Sequence, residues 1–111
     1  MTSSHVKRIL WAAAAMMVAV PVLADDALRI GYVDPLSGSG ASVGVLGLRT
    51  FEYLADQLNA EGGVLGMKLE IVGYDDKLSA EDALVQVQKA MDSGVRVITE
   101  GNGSGIASAI E

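Results

Sequence analysis

Residues 27–44 read ALRIGYVDPLSGSGASVG, an apolar run followed by a segment rich in glycine and serine. The run over residues 27–33 has the length and apolar character of a β-strand. Residues 34–44 are typical of a loop, and Pro35 fixes its start. This stretch therefore predicts a first strand and the glycine-rich loop that follows it.

A helix and a second strand are predicted next. Apolar side chains in residues 45–60 follow the i, i+3, i+4, i+7 spacing of one helical face, and Gly62 and Gly63 end that helix. The members of the face are Phe51, Leu54, Ala55 and Leu58. Residues 68–74 (KLEIVGY) alternate as a strand and run out into a polar loop.

A second helix, a third strand and a third helix complete the pattern. Ser79 stands three residues before Asp82, which is a capping-box-like helix start. The predicted buried face of that helix consists of Ala83, Val87, Ala90 and Met91. Residues 95–99 form a short β-branched strand, residues 100–105 (EGNGSG) form a glycine loop, and a third helix is predicted from Ile106.

This alternation predicts an α/β fold with a parallel β-α-β-α-β sheet and helices on both faces. In the usual strand order of such a unit, 2-1-3, strands 1 and 3 are neighbours. The loops after them then leave the same edge of the sheet, and their helices pass to opposite faces. A crevice at such a switch point is where ligands bind in open α/β sheets. The two loops rich in glycine and serine are the two that meet there.

The second of these loops has the properties of an anion site. Gly101, Asn102, Gly103, Ser104 and Gly105 open a helix, so unpaired N–H groups and the positive end of the helix dipole would face the crevice, with the Ser104 hydroxyl beside them. Because no basic residue is near in sequence, a carboxylate suits this loop better than a pyrophosphate. The alternative is that the glycines only let the strand turn into the helix.

The acidic residues at strand ends have several possible roles. Asp34, at the carboxyl end of strand 1, could pair with a ligand ammonium or cap the turn before Leu36. Asp75 and Asp76 could bind a hard cation, but adjacent side chains in an extended stretch point opposite ways. A solvated turn is the favoured interpretation of that pair, and no metal site is predicted.

Composition excludes several classes of function. The chain has 111 residues, which is the length of one small domain. Its net charge of −6 disfavours binding to the negatively charged backbone of a nucleic acid. The chain has no cysteine, and its single histidine and tryptophan are His5 and Trp11. Thiolate nucleophiles, Cys/His zinc sites and His-based triads are therefore excluded once the N-terminal segment is removed. Dinucleotide and P-loop glycine patterns are absent, so neither an enzyme nor a bound cofactor is predicted.

Residues 1–24 have the features of a signal peptide. Lys7 and Arg8 precede an apolar run over residues 9–20, and small residues favour cleavage after Ala24, where the first acidic residues follow. The apolar segment is shorter than the roughly 20 residues of a membrane span, so no stable membrane anchor is expected after cleavage. These features predict a periplasmic protein.

Three motifs carry a resemblance to a known family: IGYVDPLSG at residues 30–38, NAEGGVLG at 59–66 and LEIVGYDD at 69–76. They resemble the N-terminal lobe of type I periplasmic solute-binding proteins, especially the leucine/isoleucine/valine-binding proteins of ABC transporters. The resemblance implies a two-lobed receptor that closes on a small ligand and delivers it to a membrane permease. Residues 25–111 would then be the first lobe, ending before the hinge and the second lobe.

The resemblance also implies roles for individual residues. Ser104, with Gly103 and Gly105 beside it, would hold the carboxylate of the ligand. Val43 stands where the family often has an aromatic side chain against the ligand, and Asn102 also departs from the pattern of the amino-acid binders. The ligand could therefore be an aromatic or other organic acid instead of a branched-chain amino acid. The alternatives are a ligand-sensing receptor lobe of the same fold or a non-functional fragment.

Overall fold

The computed structural model describes residues 27–111, and within them the elements follow the predicted order. The predicted signal peptide, residues 1–24, lies outside the described residues. The elements are β1 (Leu28–Asp34), α1 (Ala41–Ala60), β2 (Leu69–Asp75), α2 (Ala80–Asp92), β3 (Val97–Glu100) and α3 (Ser104–Ile110), with a short 3-10 turn at Gly38–Gly40. No helix in this part of the chain is long and apolar enough to cross a membrane.

The three strands form a parallel sheet in the order β2-β1-β3, as the sequence predicts. Asp34 at the end of β1 is opposite Asp75 at the end of β2, and Val33 is opposite Glu100 at the end of β3. All three strands therefore end at one edge of the sheet. This edge is where the side chains of the candidate site are brought together.

Both faces of the sheet carry helices. On one face, α2 and α3 enclose the main core, whose buried members are Val33, Tyr74, Ala83, Ala90, Val95 and Ile106. On the other face α1 lies against Tyr32, whose ring is 5.2 Å from that of Phe51 between centroids. The α/β architecture predicted from the alternation of strands and helices is thus confirmed.

The predicted buried face of α1 is wrong in part. Ala55 is buried, but Phe51, Leu54 and Leu58 are 37%, 51% and 41% exposed. The helix packs mainly against β2, which is an edge strand, so part of its apolar surface has no strand beneath it. On α2 the prediction is right for Ala83 and Ala90, whereas Met91 is exposed.

Two helices begin earlier than the glycine pattern predicts. α1 begins at Ala41 rather than residue 45, and α3 begins at Ser104 rather than Ile106. Gly44 therefore lies inside α1, where it is buried against Pro35. A glycine-rich sequence predicts a loop because glycine disfavours helices. A close backbone contact can nevertheless require glycine inside a helix.

Candidate ligand-binding site

The loops that follow β1 and β3 begin side by side. The β1 loop (residues 35–40) leads to α1, and the β3 loop (residues 101–103) leads to α3. Because β1 and β3 are parallel neighbours and their helices lie on opposite faces, the two loops separate at the edge of the sheet. This is the switch-point geometry predicted from the sequence, with the starts of α1 and α3 on opposite faces of the sheet.

Ser104 is the first residue of α3, and its side chain is exposed. Gly103 precedes it with a φ of 119°, a conformation that favours glycine, and its carbonyl accepts hydrogen bonds from the N–H groups of Ile106 and Ala107 at 2.9 Å each. Gly105 is exposed, and a Cβ there would meet no atom within 4 Å. These three residues therefore form an exposed start of α3.

Val43 lies in the first turn of α1 rather than in a loop, and it is 56% exposed. It is thus at the start of the helix that follows β1, whereas Ser104 begins the helix that follows β3. The Val43 side chain is therefore accessible to solvent.

Asp34 is fully buried, so its carboxylate does not reach solvent. Its Oδ2 atom accepts hydrogen bonds from the Tyr32 hydroxyl at 2.5 Å and from the Asn102 side-chain amide at 3.2 Å. Of the two roles considered for Asp34, the cap of the turn before Leu36 is not observed, because the Leu36 N–H donates to Asp75 instead. Asp34 and Asn102 are therefore paired with each other beneath the β3 loop.

Gly101 permits this pairing. A Cβ on Gly101 would lie 2.6 Å from Asp34 Oδ2 and 2.7 Å from the Tyr32 hydroxyl, which is closer than real Cβ contacts. Burial and the hydrogen bond to Asp34 raise the pKa of Tyr32, so its hydroxyl keeps its proton and remains a donor. One glycine of the β3 loop thus has a packing role.

The expected turn follows Asp75 and Asp76, at Lys77 and Leu78, but the prediction that these two acids are solvated is wrong. Asp75 is half-buried and accepts hydrogen bonds from the Leu36 N–H at 2.9 Å, the Ser37 hydroxyl at 2.5 Å and the Lys77 N–H at 3.0 Å. Partial burial acts to raise the pKa of Asp75, but these hydrogen bonds outweigh it and hold the pKa below its ordinary value. Asp75 therefore anchors the β1 loop to the end of β2.

Asp76 is fully buried, whereas the sequence pattern favoured a solvated position for it. Burial raises the pKa of its carboxyl, and the negative charges of Asp34 and Asp75 raise it further. Burial likewise raises the pKa of Glu100, with Asp34 again adding to the effect. The available signal was positional, because all three acids stand at or just after strand ends that a parallel sheet brings to one edge.

Comparison with known proteins places this fold in a family. A family model described as Periplasmic binding protein matches residues 27–111. Leu/Ile/Val-binding protein homolog 4 of Brucella abortus is 33% identical over 85 residues, which are 77% of this chain and 20% of that protein. The Leu/Ile/Val-binding protein of Escherichia coli is 32% identical over 76 residues, covering 68% of this chain and 20% of that protein.

Solved structures agree with these relatives. The leucine-, isoleucine-, valine-, threonine- and alanine-binding protein from Brucella ovis, in a closed conformation, is similar with a TM-score of 0.69 and 33% identity over 76% of this chain and 22% of that one. The substrate-binding protein LivJ from Streptococcus pneumoniae, in complex with isoleucine, has a TM-score of 0.67 and 28% identity, covering 76% of this chain and 24% of that one.

The chain belongs to the type I periplasmic binding protein family, as its resemblance to leucine/isoleucine/valine-binding proteins predicts. This is a family of solute-binding proteins rather than of enzymes. The chain spans about one fifth of the length of the curated relatives it matches.

Proposed function

We propose that this chain is the first lobe of a periplasmic solute-binding protein that delivers a small carboxylate-bearing solute to an ABC importer. The observation that carries the proposal is the switch point between the β1 and β3 loops, with Ser104 exposed at the start of α3, in a chain of this family. The similar proteins are named for binding leucine, isoleucine and valine, which supports an amino-acid ligand.

In the proposed site, the ligand carboxylate binds at the start of α3. The Ser104 hydroxyl and the N–H groups of Ser104 and Gly105 donate hydrogen bonds to it, and the positive end of the helix favours its charge. Gly103 sets the backbone direction through its positive φ. Asn102 acts indirectly, since its amide is bonded to the buried Asp34 and holds the β3 loop in place.

Val43 would contact the ligand from the start of α1. Because Val43 offers only a small apolar surface, the site would accept an aromatic or other organic acid as well as a branched-chain amino acid. A second lobe would close over this ligand, and the permease of the importer would then receive it. The signal peptide over residues 1–24, cleaved after Ala24, would direct the protein to the periplasm.

The proposal is tested on a receptor that contains this lobe and a second one. Isothermal titration with L-leucine, L-isoleucine, L-valine and an aromatic carboxylate identifies the ligand class. L-Leucinamide, which lacks the anionic carboxylate, serves as a matched probe and is expected to bind much more weakly than L-leucine. Equal binding of the acid and the amide, or no binding of any carboxylate, would contradict a carboxylate receptor.

Ser104→Ala is expected to weaken binding of the carboxylate ligand by about 1–3 kcal/mol, because it removes a hydrogen-bond donor to a charged group. Ser108→Ala is the control, since Ser108 is exposed one turn further along α3 and away from the helix start. The dissociation constants of both variants are measured by titration calorimetry. Unchanged affinity in Ser104→Ala would remove Ser104 from the site.

A further inference from the structure

Three carboxylates converge at the edge of the sheet, beneath the two loops. Asp34 ends β1, Asp76 directly follows β2 and Glu100 ends β3. Each offers one oxygen atom, and these atoms all lie within 4.8 Å of one another. We call these residues the strand-end carboxylates. They come from segments far apart in sequence, and the parallel sheet alone brings them together.

Each strand-end carboxylate has a buried oxygen without a hydrogen-bond partner among the described residues, namely Asp34 Oδ1, Asp76 Oδ2 and Glu100 Oε1. Asp34 and Asp76 are 0% exposed, so water in bulk solvent does not reach them. The nearby donors are used by the other oxygens, since Tyr32 and Asn102 bond to Asp34 Oδ2 and the Leu78 N–H bonds to Asp76 Oδ1 at 2.8 Å. Buried polar atoms are normally paired, so an unpaired oxygen on each of three neighbouring carboxylates indicates a partner such as a bound water or ion.

No basic side chain of the described residues supplies that partner. The charged groups that act on Asp76 are all acidic: Asp34, Asp75 and Asp82. Those acting on Glu100 are Asp34 and Asp76. The two ion pairs within residues 27–111, Arg29–Glu70 and Arg49–Glu52, lie elsewhere. Within residues 27–111, no positive charge therefore compensates the strand-end carboxylates.

We propose that Asp34, Asp76 and Glu100 bind a divalent cation of the Ca²⁺ class. The donor atoms are carboxylate oxygens alone, which suit hard cations and disfavour zinc or copper. Ca²⁺ binds oxygen at about 2.3–2.6 Å and tolerates irregular geometry, so one ion reaches oxygen atoms spread over as much as 4.8 Å. Mg²⁺, with about 2.0–2.1 Å and a strict octahedron, fits this spread less well.

The cation would join the ends of all three strands. Through Asp34 it would also fix Asn102 and therefore the β3 loop that leads to Ser104. Its role would be to hold the loops in position, independently of which solute binds above them.

The test is a Ca²⁺ titration of the 111-residue chain after removal of metal with a chelator. Circular dichroism follows unfolding with CaCl₂ or MgCl₂ present. We expect a saturable rise in Tm of about 5 °C or more at a Ca²⁺ concentration ten times the dissociation constant, with a smaller rise for Mg²⁺. If the chelated chain is unfolded, the expected response is a gain of helical signal on adding Ca²⁺. Absence of both responses would overturn the proposal.

Terbium(III) gives a second, independent readout. Tyr32 donates a hydrogen bond to Asp34, so a Tb³⁺ ion at the site would lie close to an excited tyrosine and emit on excitation of that ring. Added Ca²⁺ is expected to abolish this emission by displacement. No sensitised emission, or emission that Ca²⁺ does not displace, would overturn the proposal.

Isosteric variants locate the response. Asp76→Asn and Glu100→Gln are each expected to lower the affinity for Ca²⁺ at least tenfold. Glu81→Gln, which changes an exposed residue on α2, is the control and is expected to keep the affinity of the unsubstituted chain. The amide variants remove repulsion between buried charges, so they are expected to fold in the chelator. A different result would refute the cation site: amide variants more stable than the unsubstituted chain, together with no response of the unsubstituted chain to Ca²⁺. The carboxylates would then hold protons instead of a cation.

Discussion

At the scale of single residues, two glycines are required by what lies beside them rather than by a turn. A Cβ on Gly44 would collide with the carbonyl oxygen of Pro35, and one on Gly101 would lie 2.6 Å from Asp34 Oδ2. At Gly44 the opposing atom belongs to the backbone, so a side-chain rotation does not relieve the clash. The β1 loop can fold against the first turn of α1 only because Gly44 has no side chain.

Gly44→Ala is therefore expected to lower the free energy of unfolding by about 1–3 kcal/mol, the usual cost of overpacking. Gly105→Ala is the matched control, because it is also helical and a Cβ there meets nothing within 4 Å. Alanine at that position is expected to be neutral or stabilising by up to about 1 kcal/mol. Urea unfolding measures both variants, and equal stability of the two would show that the Pro35 contact does not constrain residue 44.

At the scale of elements, α2 is the helix that local sequence specifies most completely. The Ser79 hydroxyl accepts a hydrogen bond from the Asp82 N–H at 3.2 Å, and Glu81 and Asp82 place negative charge in the first turn. Lys89 lies in the last turn, where positive charge complements the helix dipole. Gly94, with a φ of 88°, then ends the element. Each of these signals acts over a few residues, so it can be read without the rest of the fold.

Ser79→Ala removes the N-cap acceptor and is expected to cost about 1 kcal/mol of stability. Ser79→Asp retains an acceptor oxygen at the same position and is expected to keep most of the stability that the N-cap provides. The midpoint of urea unfolding, with an unchanged slope, measures this difference. If the alanine and aspartate variants were equally destabilised, the cap would not be the source of the loss.

At the scale of the whole molecule, contacts between helices and strands fix how the helices sit on the sheet. The Asn59 side chain near the end of α1 bonds twice to Leu69 at the start of β2. Its amide donates to the Leu69 carbonyl at 2.8 Å, and its oxygen accepts from the Leu69 N–H at 2.7 Å. Leu69 is itself buried, so both of its backbone groups depend on this partner.

Asn59→Ala is expected to destabilise the chain by about 2–3 kcal/mol, because it leaves a buried N–H and a buried carbonyl without partners. Gln57→Ala, at an exposed position of the same helix, is the control and is expected to change stability by less than about 0.5 kcal/mol. Thermal unfolding compares the two. A similar Tm for both variants would mean that Asn59 does not hold α1 to the sheet.

The sequence by itself determined the order of the elements, the parallel sheet with β1 between β2 and β3, and the meeting of the two glycine-rich loops at one edge. Strand and helix periodicity and capping are local, and topology rules extend them to the sheet. Only the tertiary structure decided that Asp76 is buried beside Asp34 and Glu100, that Asp75 rather than Asp34 binds the Leu36 N–H, and that Phe51 and Leu54 remain exposed. The first two outcomes depend on which groups from distant parts of the sequence are buried together. The third depends on how far a three-stranded sheet extends under a helix. Neither property is encoded within a few neighbouring residues.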